Sequence, residues 1–320
     1  MARYLISGGA GFIGSHLAET LVASGQEVVV LDNLASGKRE NLLPASQGPG
    51  RLTFVEGDIR DVATCRQVMR GVDYVLHQAA RPSVQRSMED PLLSHDVNLT
   101  GTANLLVAAK DAQVKRFVSA SSSSVYGDRE DPAAPKREDM EPRPMSPYAA
   151  NKVAMEFYCQ AFHRAYGLQT VMLRYFNVFG PRQDPDSPYA AVIPKFLFAL
   201  MQGQAPPVHG DGRQSRDFTY VSNVVAANLA ACTAPQAPGQ AINVASGASH
   251  DLIELLEVLG RLTGRDARPN FGPSRAGDVR HSLADLDKAR RVLGYQLGVG
   301  FEEGLAILVD LAQQGRYLAS

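Results

Sequence analysis

The chain is 320 residues long and 45% hydrophobic, and its 32 Lys and Arg against 33 Asp and Glu leave a formal charge of −1. A balance that even gives no electrostatic footprint for nucleic acid or anionic lipid, and no apolar run approaches the roughly 18 residues that span a bilayer. The N-terminus lacks the basic-then-apolar pattern of a secretory signal, and Cys65, Cys159 and Cys232 lie far apart, as in a reducing compartment, so a cytoplasmic protein is expected.

From the N-terminus one rhythm repeats. β-branched runs at Arg3–Ser7, Glu27–Asp32, Leu52–Asp58, Asp73–Gln78, Arg116–Ala120 and Gln169–Tyr175 alternate with helical stretches near 12–24, 61–70, 92–111 and 147–166. Near-continuous apolar strands separated by helices predict an α/β fold, a doubly wound parallel sheet covered on both faces. The second half is less regular. It opens on a Pro-rich stretch at Gly180–Pro194 and continues with helices near 195–202, 222–233, 250–261 and 301–314, and a strand at Ala241–Ala245. These read as a smaller α/β lid over the strand ends. The expected division is 1–177, rejoined by about 214–246, for the sheet domain, and 178–213 with 247–320 for the lid.

Three groups of residues carry chemistry. Gly8-x-x-Gly11-x-x-Gly14 follows a strand and opens a helix, which lets backbone N–H groups approach a pyrophosphate. Asp32 ends the second strand, where a carboxylate takes ribose hydroxyls and repels a 2′-phosphate. NAD is therefore favoured over NADP, a preference tempered by Lys38 and Arg39. Asp58 and Ile59 are placed to border an adenine, although Asp58 equally suits a loop start. Tyr148 and Lys152 stand four apart on one helical face. An ammonium beside a phenol, together with a positive nicotinamide ring, favours the phenolate. Tyr and Lys at this spacing also occur on many solvated helices. The run Ser121–Ser124 ends an apolar strand, where ligands of doubly wound sheets sit. Among seven histidines there is no H-x-x-x-H pair and no Cys/His cluster, so no catalytic metal is expected. His77 reads as a satisfied core or loop histidine.

In chain order, these groups resemble the extended short-chain dehydrogenase/reductase family, a Rossmann-type fold, and within it the nucleotide-sugar 4-epimerases. The likeness runs end to end and includes His77-Gln-Ala-Ala-Arg-Pro-Ser-Val84, Arg174-Tyr-Phe-Asn-Val-Phe-Gly-Pro-Arg182, His209 to Tyr220 and Arg275-Ala-Gly-Asp-Val-Arg-His-Ser282. The resemblance implies Tyr148 as base, Lys152 as its electrostatic partner and Ser122 as the catalytic hydroxyl. It extends the NAD set to Phe12, Ile13, Asn33, Gln78, Ala79, Ala80, Asn98 and Tyr175. For the UDP-sugar it implies Ser83, Ser123, Ser124 and Asn177, with Arg216 and Arg275 on the phosphates, Asp278 on the ribose and Ser282 as a gate. Dehydratases of the family place Asp and Glu where this chain has Ser123 and Ser124, and decarboxylases place Glu at the second position. An epimerase needs nothing beyond the shared machinery. The reaction implied is reversible C4 epimerisation of a UDP-hexose through a transient 4-keto sugar. The expected pair is UDP-glucose and UDP-galactose, with the N-acetylated pair admitted by the small Ser282. Alternatives are UDP-glucuronate as substrate, dehydration or decarboxylation, or a non-catalytic NAD-dependent regulator. The family also implies a homodimer.

Overall fold

The structure, a computed structural model, describes residues 1–129, 131, 134–185, 191–273 and 280–318. In chain order the first half runs β1 Arg3–Ser7, α1 Phe12–Ala23, β2 Glu27–Asp32, β3 Arg51–Glu56, α2 Val62–Val68, β4 Tyr74–His77, α3 Val84–Glu89, α4 Pro91–His95, α5 Gly101–Asp111, β5 Arg116–Ser122, α6 Pro147–Tyr166 and β6 Thr170–Tyr175. The second runs β7 Val178–Phe179, α7 Val192–Met201, β8 Pro207–His209, β9 Ser215–Arg216, β10 Thr219–Tyr220, α8 Val221–Thr233, β11 Gln240–Val244, β12 His250–Asp251, α9 Leu252–Thr263, β13 Asn270–Gly272, α10 Asp287–Leu293 and α11 Phe301–Gln313.

Seven strands form one sheet in the order β11-β6-β5-β4-β1-β2-β3, every pair parallel. Parallel pairing needs crossovers, and helices supply them, so both faces are covered and the strands can be apolar throughout. All six residues of β6 are buried, as are five of six in β2. One face packs Leu17, Leu21, Val30, Leu76 and Val224 among others, and the opposite face packs Val29, Leu105, Phe117, Met155 and Met172. The chain winds outward from β1 in both directions. The crevice between β1 and β4, where strand order reverses, is the ligand position of such sheets.

Beyond the sheet, β7 with β10, β9 with β12 and β8 with β13 make two-stranded ladders among the described residues. Phe179, Phe196, Phe218, Leu255, Phe301 and Leu305 form a separate core between them. β11 returns from this region to the sheet edge beside β6. The helix expected over 92–111 is interrupted by a π-helical turn at Asp96–Thr100, which points Asn98 inward.

Candidate active site

At the end of β1 the chain must turn sharply beneath α1, and glycine makes this possible. Gly8 has φ +71°, and its N–H donates to Leu31 O at 2.8 Å. A Cβ on Gly8 would stand 2.6 Å from Ala79 N, and one on Gly14 would stand 2.2 Å from Gly8 O. α1 opens at Gly11 with no side-chain cap, so its first N–H groups are left for a ligand carrying negative charge. Asp32 Oδ2 accepts from Ala10 N–H at 3.0 Å and Oδ1 from Leu34 N–H at 2.9 Å. Each oxygen keeps a further acceptor site, and burial pushes this carboxyl up. Asn33 Nδ2 donates to Asp58 at 2.9 Å, while the Arg60 guanidinium holds Asp58 down to about 2. The cations that tempered the preference for NAD are both paired: Lys38 with Asp184 at 3.7 Å and Arg39 with Glu56 at 2.7 Å.

These groups border a cleft of about 900 Å³. Of the expected cofactor residues, Gly8, Gly11, Phe12, Ile13, Gly14, Asp32, Asn33, Asp58, Ile59, Gln78, Ala79, Ala80, Tyr148, Lys152 and Tyr175 all line it. A glycine cradle, an uncapped helix start and a ribose-facing carboxylate in one crevice fit a dinucleotide. Asn98 is different. Its Oδ1 accepts from Arg81 N–H at 2.8 Å, and its amide donates to Arg81 O and Ser94 Oγ, each at 3.2 Å. It holds up the wall of the cleft and does not line it, because the 81 loop consumes its polar atoms.

Tyr148 and Lys152, the expected base and its partner, line the same cleft, while Ser122 stands just behind its wall at Ser121. Ser146 caps α6 by accepting from Ala149 N–H at 3.2 Å, and Pro147 takes the first helical position. Tyr148 and Lys152 then project from successive turns. Ser122 ends β5 and caps the 3₁₀ turn Ser123–Tyr126 by accepting from Ser124 N–H at 3.2 Å; its hydroxyl is near enough to Tyr148 to lower the phenol. Lys152 Nζ donates to Ala120 O at 2.7 Å and lies 5.8 Å from the centre of the Tyr148 ring. Burial lowers Lys152 to about 8, and the neighbouring Cys159 and Glu156 act in the opposite direction. The sequence suggests that this ammonium acidifies the phenol. Within the protein alone, burial raises Tyr148, and the Ser122 hydrogen bond is what opposes it. His77 is a neutral core residue. Nδ1 meets Ser7 Oγ at 2.7 Å, Nε2 meets Thr102 Oγ1 at 2.8 Å, and burial lowers it to about 3.

A second cavity of about 270 Å³ opens under the lid, lined by Asn177, Lys195, Gln214, Arg216 and Phe218 among others. Asn177 sits at φ +24°, with its carbonyl accepting from Thr219 N–H at 3.2 Å. Arg216 Nη1 donates to Ser215 O at 2.9 Å and Arg280 O at 3.0 Å. Between Arg216 and Phe218 lies Asp217, which sequence reasoning passed over. It is fully buried and accepts from Ser246 N–H (2.8 Å), Ser246 Oγ (2.7 Å), Gly247 N–H (3.1 Å) and Ala284 N–H (3.2 Å). Its position beside Arg216 in the quoted stretch was the available signal.

Of the other expected substrate residues among those described, Ser83, Ser122, Ser123, Ser124 and Ser282 line neither cavity. Ser83, at φ +93°, caps α3 through Arg86 N–H at 3.4 Å. Ser123 and Ser124 lie in the 3₁₀ turn, and the buried Ser124 hydroxyl has no hydrogen-bond partner among the described residues. Ser282 is half-buried, its N–H donated to Ser215 O at 3.1 Å. Arg275 and Asp278 fall outside the described residues. Of the run Ser121–Ser124, it is Ser121 that lines the larger cleft.

Comparison with known proteins follows the same outline. Residues 4–245 match the NAD dependent epimerase/dehydratase family. A UDP-glucose 4-epimerase of Mycolicibacterium smegmatis is 41% identical over 310 residues, covering 96% of this chain and 97% of the relative. Two solved structures superpose with TM-scores of 0.92, each covering 98% of this chain and 99% of the other. One is a UDP-N-acetylglucosamine 4-epimerase from Methanobrevibacter ruminantium in complex with UDP-N-acetylmuramic acid, 39% identical. The other is a UDP-glucose 4-epimerase from Thermotoga maritima with UDP-glucose, 37% identical.

Proposed function

The chain belongs to the NAD dependent epimerase/dehydratase family, and from that premise we propose how its residues act as an NAD-dependent isomerase that inverts C4 of a UDP-hexose. The observation that carries this is Tyr148 with Lys152 one helical turn away, both lining the glycine-cradled cleft, with the Ser122 hydroxyl acting on the phenol from the end of β5.

When bound in that cleft, NAD supplies a reversible hydride acceptor for the sugar carbon. Tyr148 takes the 4-hydroxyl proton through Ser122 and returns it once the 4-keto sugar presents its opposite face. Lys152 places positive charge at the phenol and, through Ala120 O, is fixed to the strand that carries Ser122. Asn177, Arg216 and Arg275 hold the diphosphate, and Asp278 holds the uridine ribose. Guanidinium forks suit phosphate oxygens and keep their charge in a closed site. The grip must stay fixed on the UDP while the sugar turns. Ser123 and Ser124 offer no carboxylate for a dehydration or decarboxylation step. Residues 1–177 and 214–246 would hold NAD, and 178–213 and 247–320 the UDP-sugar.

We assign UDP-glucose and UDP-galactose as substrates, together with their N-acetylated counterparts, for which the small side chain of Ser282 leaves room. The test offers UDP-galactose and UDP-N-acetylgalactosamine separately to protein purified without added cofactor. Denaturation should release NAD, and each substrate should yield its 4-epimer. Tyr148→Phe should cut turnover about 10²–10⁴-fold while NAD stays bound; undiminished turnover would remove the phenol from the mechanism. Ser282→Tyr should abolish turnover of the N-acetyl substrate selectively, whereas equal loss on both substrates would remove the gate.

Met88 and Leu92, on α3 and α4, and Phe157 and Tyr158, on α6, are exposed by 45–80%. They are the face we assign to a second copy of the chain, and a monomer in sedimentation equilibrium would refute that. The buried free thiols of Cys65, Cys159 and Cys232 support a cytoplasmic setting.

A further inference from the structure

Tyr148 and Lys152 are followed, one turn further along the same face of α6, by Glu156, which takes no part in the proton path above. Glu156 is 3% exposed and Arg174, its partner on β6, 4%. The carboxylate accepts from Arg174 Nε at 2.9 Å and Nη2 at 2.7 Å, and from Ser121 Oγ at 2.5 Å. Arg174 Nη1 donates onward to Tyr126 OH at 2.9 Å, and Tyr126 donates to Asn243 Oδ1 at 2.6 Å. Ser121 immediately precedes Ser122, and Tyr126 closes the turn that Ser122 opens. The ion pair therefore grips both ends of the segment carrying the catalytic hydroxyl and ties them to the helix carrying the base. An apolar pair of equal volume would give comparable stability, because desolvating two charges offsets much of their attraction. It could not bond to the serine and tyrosine together.

We propose that the Glu156–Arg174 pair is a positioning device for the reaction centre, locking the 121–126 segment against α6 so that Ser122 meets Tyr148. This rests on reading Ser122, Tyr148 and Lys152 as that centre. The carboxylate also supplies negative charge one turn from Lys152. The groups facing that ammonium are Tyr148, Glu156 and Cys159 from its own helix, the neutral His77 from β4 and Ala120 O from β5. Among these, Glu156 is the carboxylate, ion-paired with Arg174 at 2.7 Å. Removing it disfavours the ammonium, so the pH at which Lys152 loses its proton, about 8 in the intact protein, must fall.

The test uses the full NAD-loaded enzyme with UDP-galactose, comparing the parent with Glu156→Gln, Glu156→Asp and Ser121→Ala. Glu156→Gln should lower kcat about tenfold or more with KM within about twofold, as for displaced reacting groups. It should also shift the alkaline limb of the kcat profile to lower pH. Glu156→Asp keeps the charge but retracts the contact to Ser121, so kcat should fall while the limb stays in place. Ser121→Ala should do the same with melting temperature near the parent's. A folded, NAD-bound Glu156→Gln with unchanged kcat and limb would overturn the proposal. If that variant does not fold, unchanged kcat in Ser121→Ala would overturn it instead. Absence of turnover in the parent would sink the assignment of the reaction centre, a separate failure.

Discussion

The two halves of the molecule solve opposite problems. Up to Tyr175 the chain supplies six of the seven sheet strands, and its cleft is shaped by backbone: a glycine turn, an uncapped helix and strand ends in fixed register. After Tyr175 it contributes one sheet strand and a lid of short ladders. The lid also depends on side chains such as Asp217, whose carboxylate ties its own segment to residues 246, 247 and 284. The difference bears on the function proposed above. On that proposal, the rigid backbone cradle would hold a cofactor that stays through every turnover, and the lid would release the UDP-sugar after each one.

The comparison breaks most severely at Gly14. Its Cβ position lies 2.2 Å from Gly8 O, a backbone atom that cannot step aside without opening the turn. Gly14→Ala should purify without NAD, with thermal stability lowered by about 1–3 kcal/mol, the usual range for overpacking. Added NAD should restore little turnover. A variant that retains NAD on denaturation assay would show that the turn yields, and the contrast between a rigid and a loosely held half would fail.

Asp217→Asn asks the converse question with a smaller effect. Replacing one carboxylate oxygen by an NH₂ group turns a donor toward donors, either at Ser246 or at Gly247 and Ala284. Leaving a buried group unmatched costs about 1–3 kcal/mol. The loss should fall on the placement of Arg216 and Phe218, so KM for UDP-galactose should rise about tenfold. NAD retention should be unchanged and kcat should move less than about threefold. Equal loss of cofactor and substrate binding would mean that the two halves are coupled, contrary to the division drawn here.

The contrast also explains what could be read from the amino-acid order. β1 and β2 begin and end as their apolar runs do, and α6 starts where Ser146-Pro147 caps it. These elements are fixed by local pattern. α3 went unrecognised because its first residue follows Ser83 in a positive-φ conformation that no local signal announces. The break at Asp96–Thr100 was hidden because helical periodicity continues through a π turn. Two-residue ladders such as Ser215–Arg216 with His250–Asp251 are too short to carry any period and are set by pairing across the fold. Glu156 and Arg174 share this character. Eighteen residues apart, neither gives a reason to look for the other until the sheet brings them within 2.7 Å.

The smallest expected effect separates packing from chemistry within the first half. His77 lies beside the reaction centre, yet its ring is bonded on both sides and is held to about 3 by burial and then by the Lys152 charge. His16 is lowered to about 4, chiefly by burial and next by Arg182. Unfolding frees both rings to protonate near their ordinary value of about 6.5. Their contribution to stability is therefore complete above that pH and is lost as pH falls toward 4 and then 3. Asp32, Glu138 and Asp217, whose carboxyls burial pushes up, act in the opposite sense over part of that range. Net stability is thus a poor readout, and the rings themselves are a good one. In NMR spectra of the NAD-bound protein, the ring protons of His77 and His16 should hold constant shifts from pH 7.5 to 5. Titration of His77 near 6.5 would place a proton-exchanging group on the strand next to the one that ends in Ser122 and reopen the choice of base.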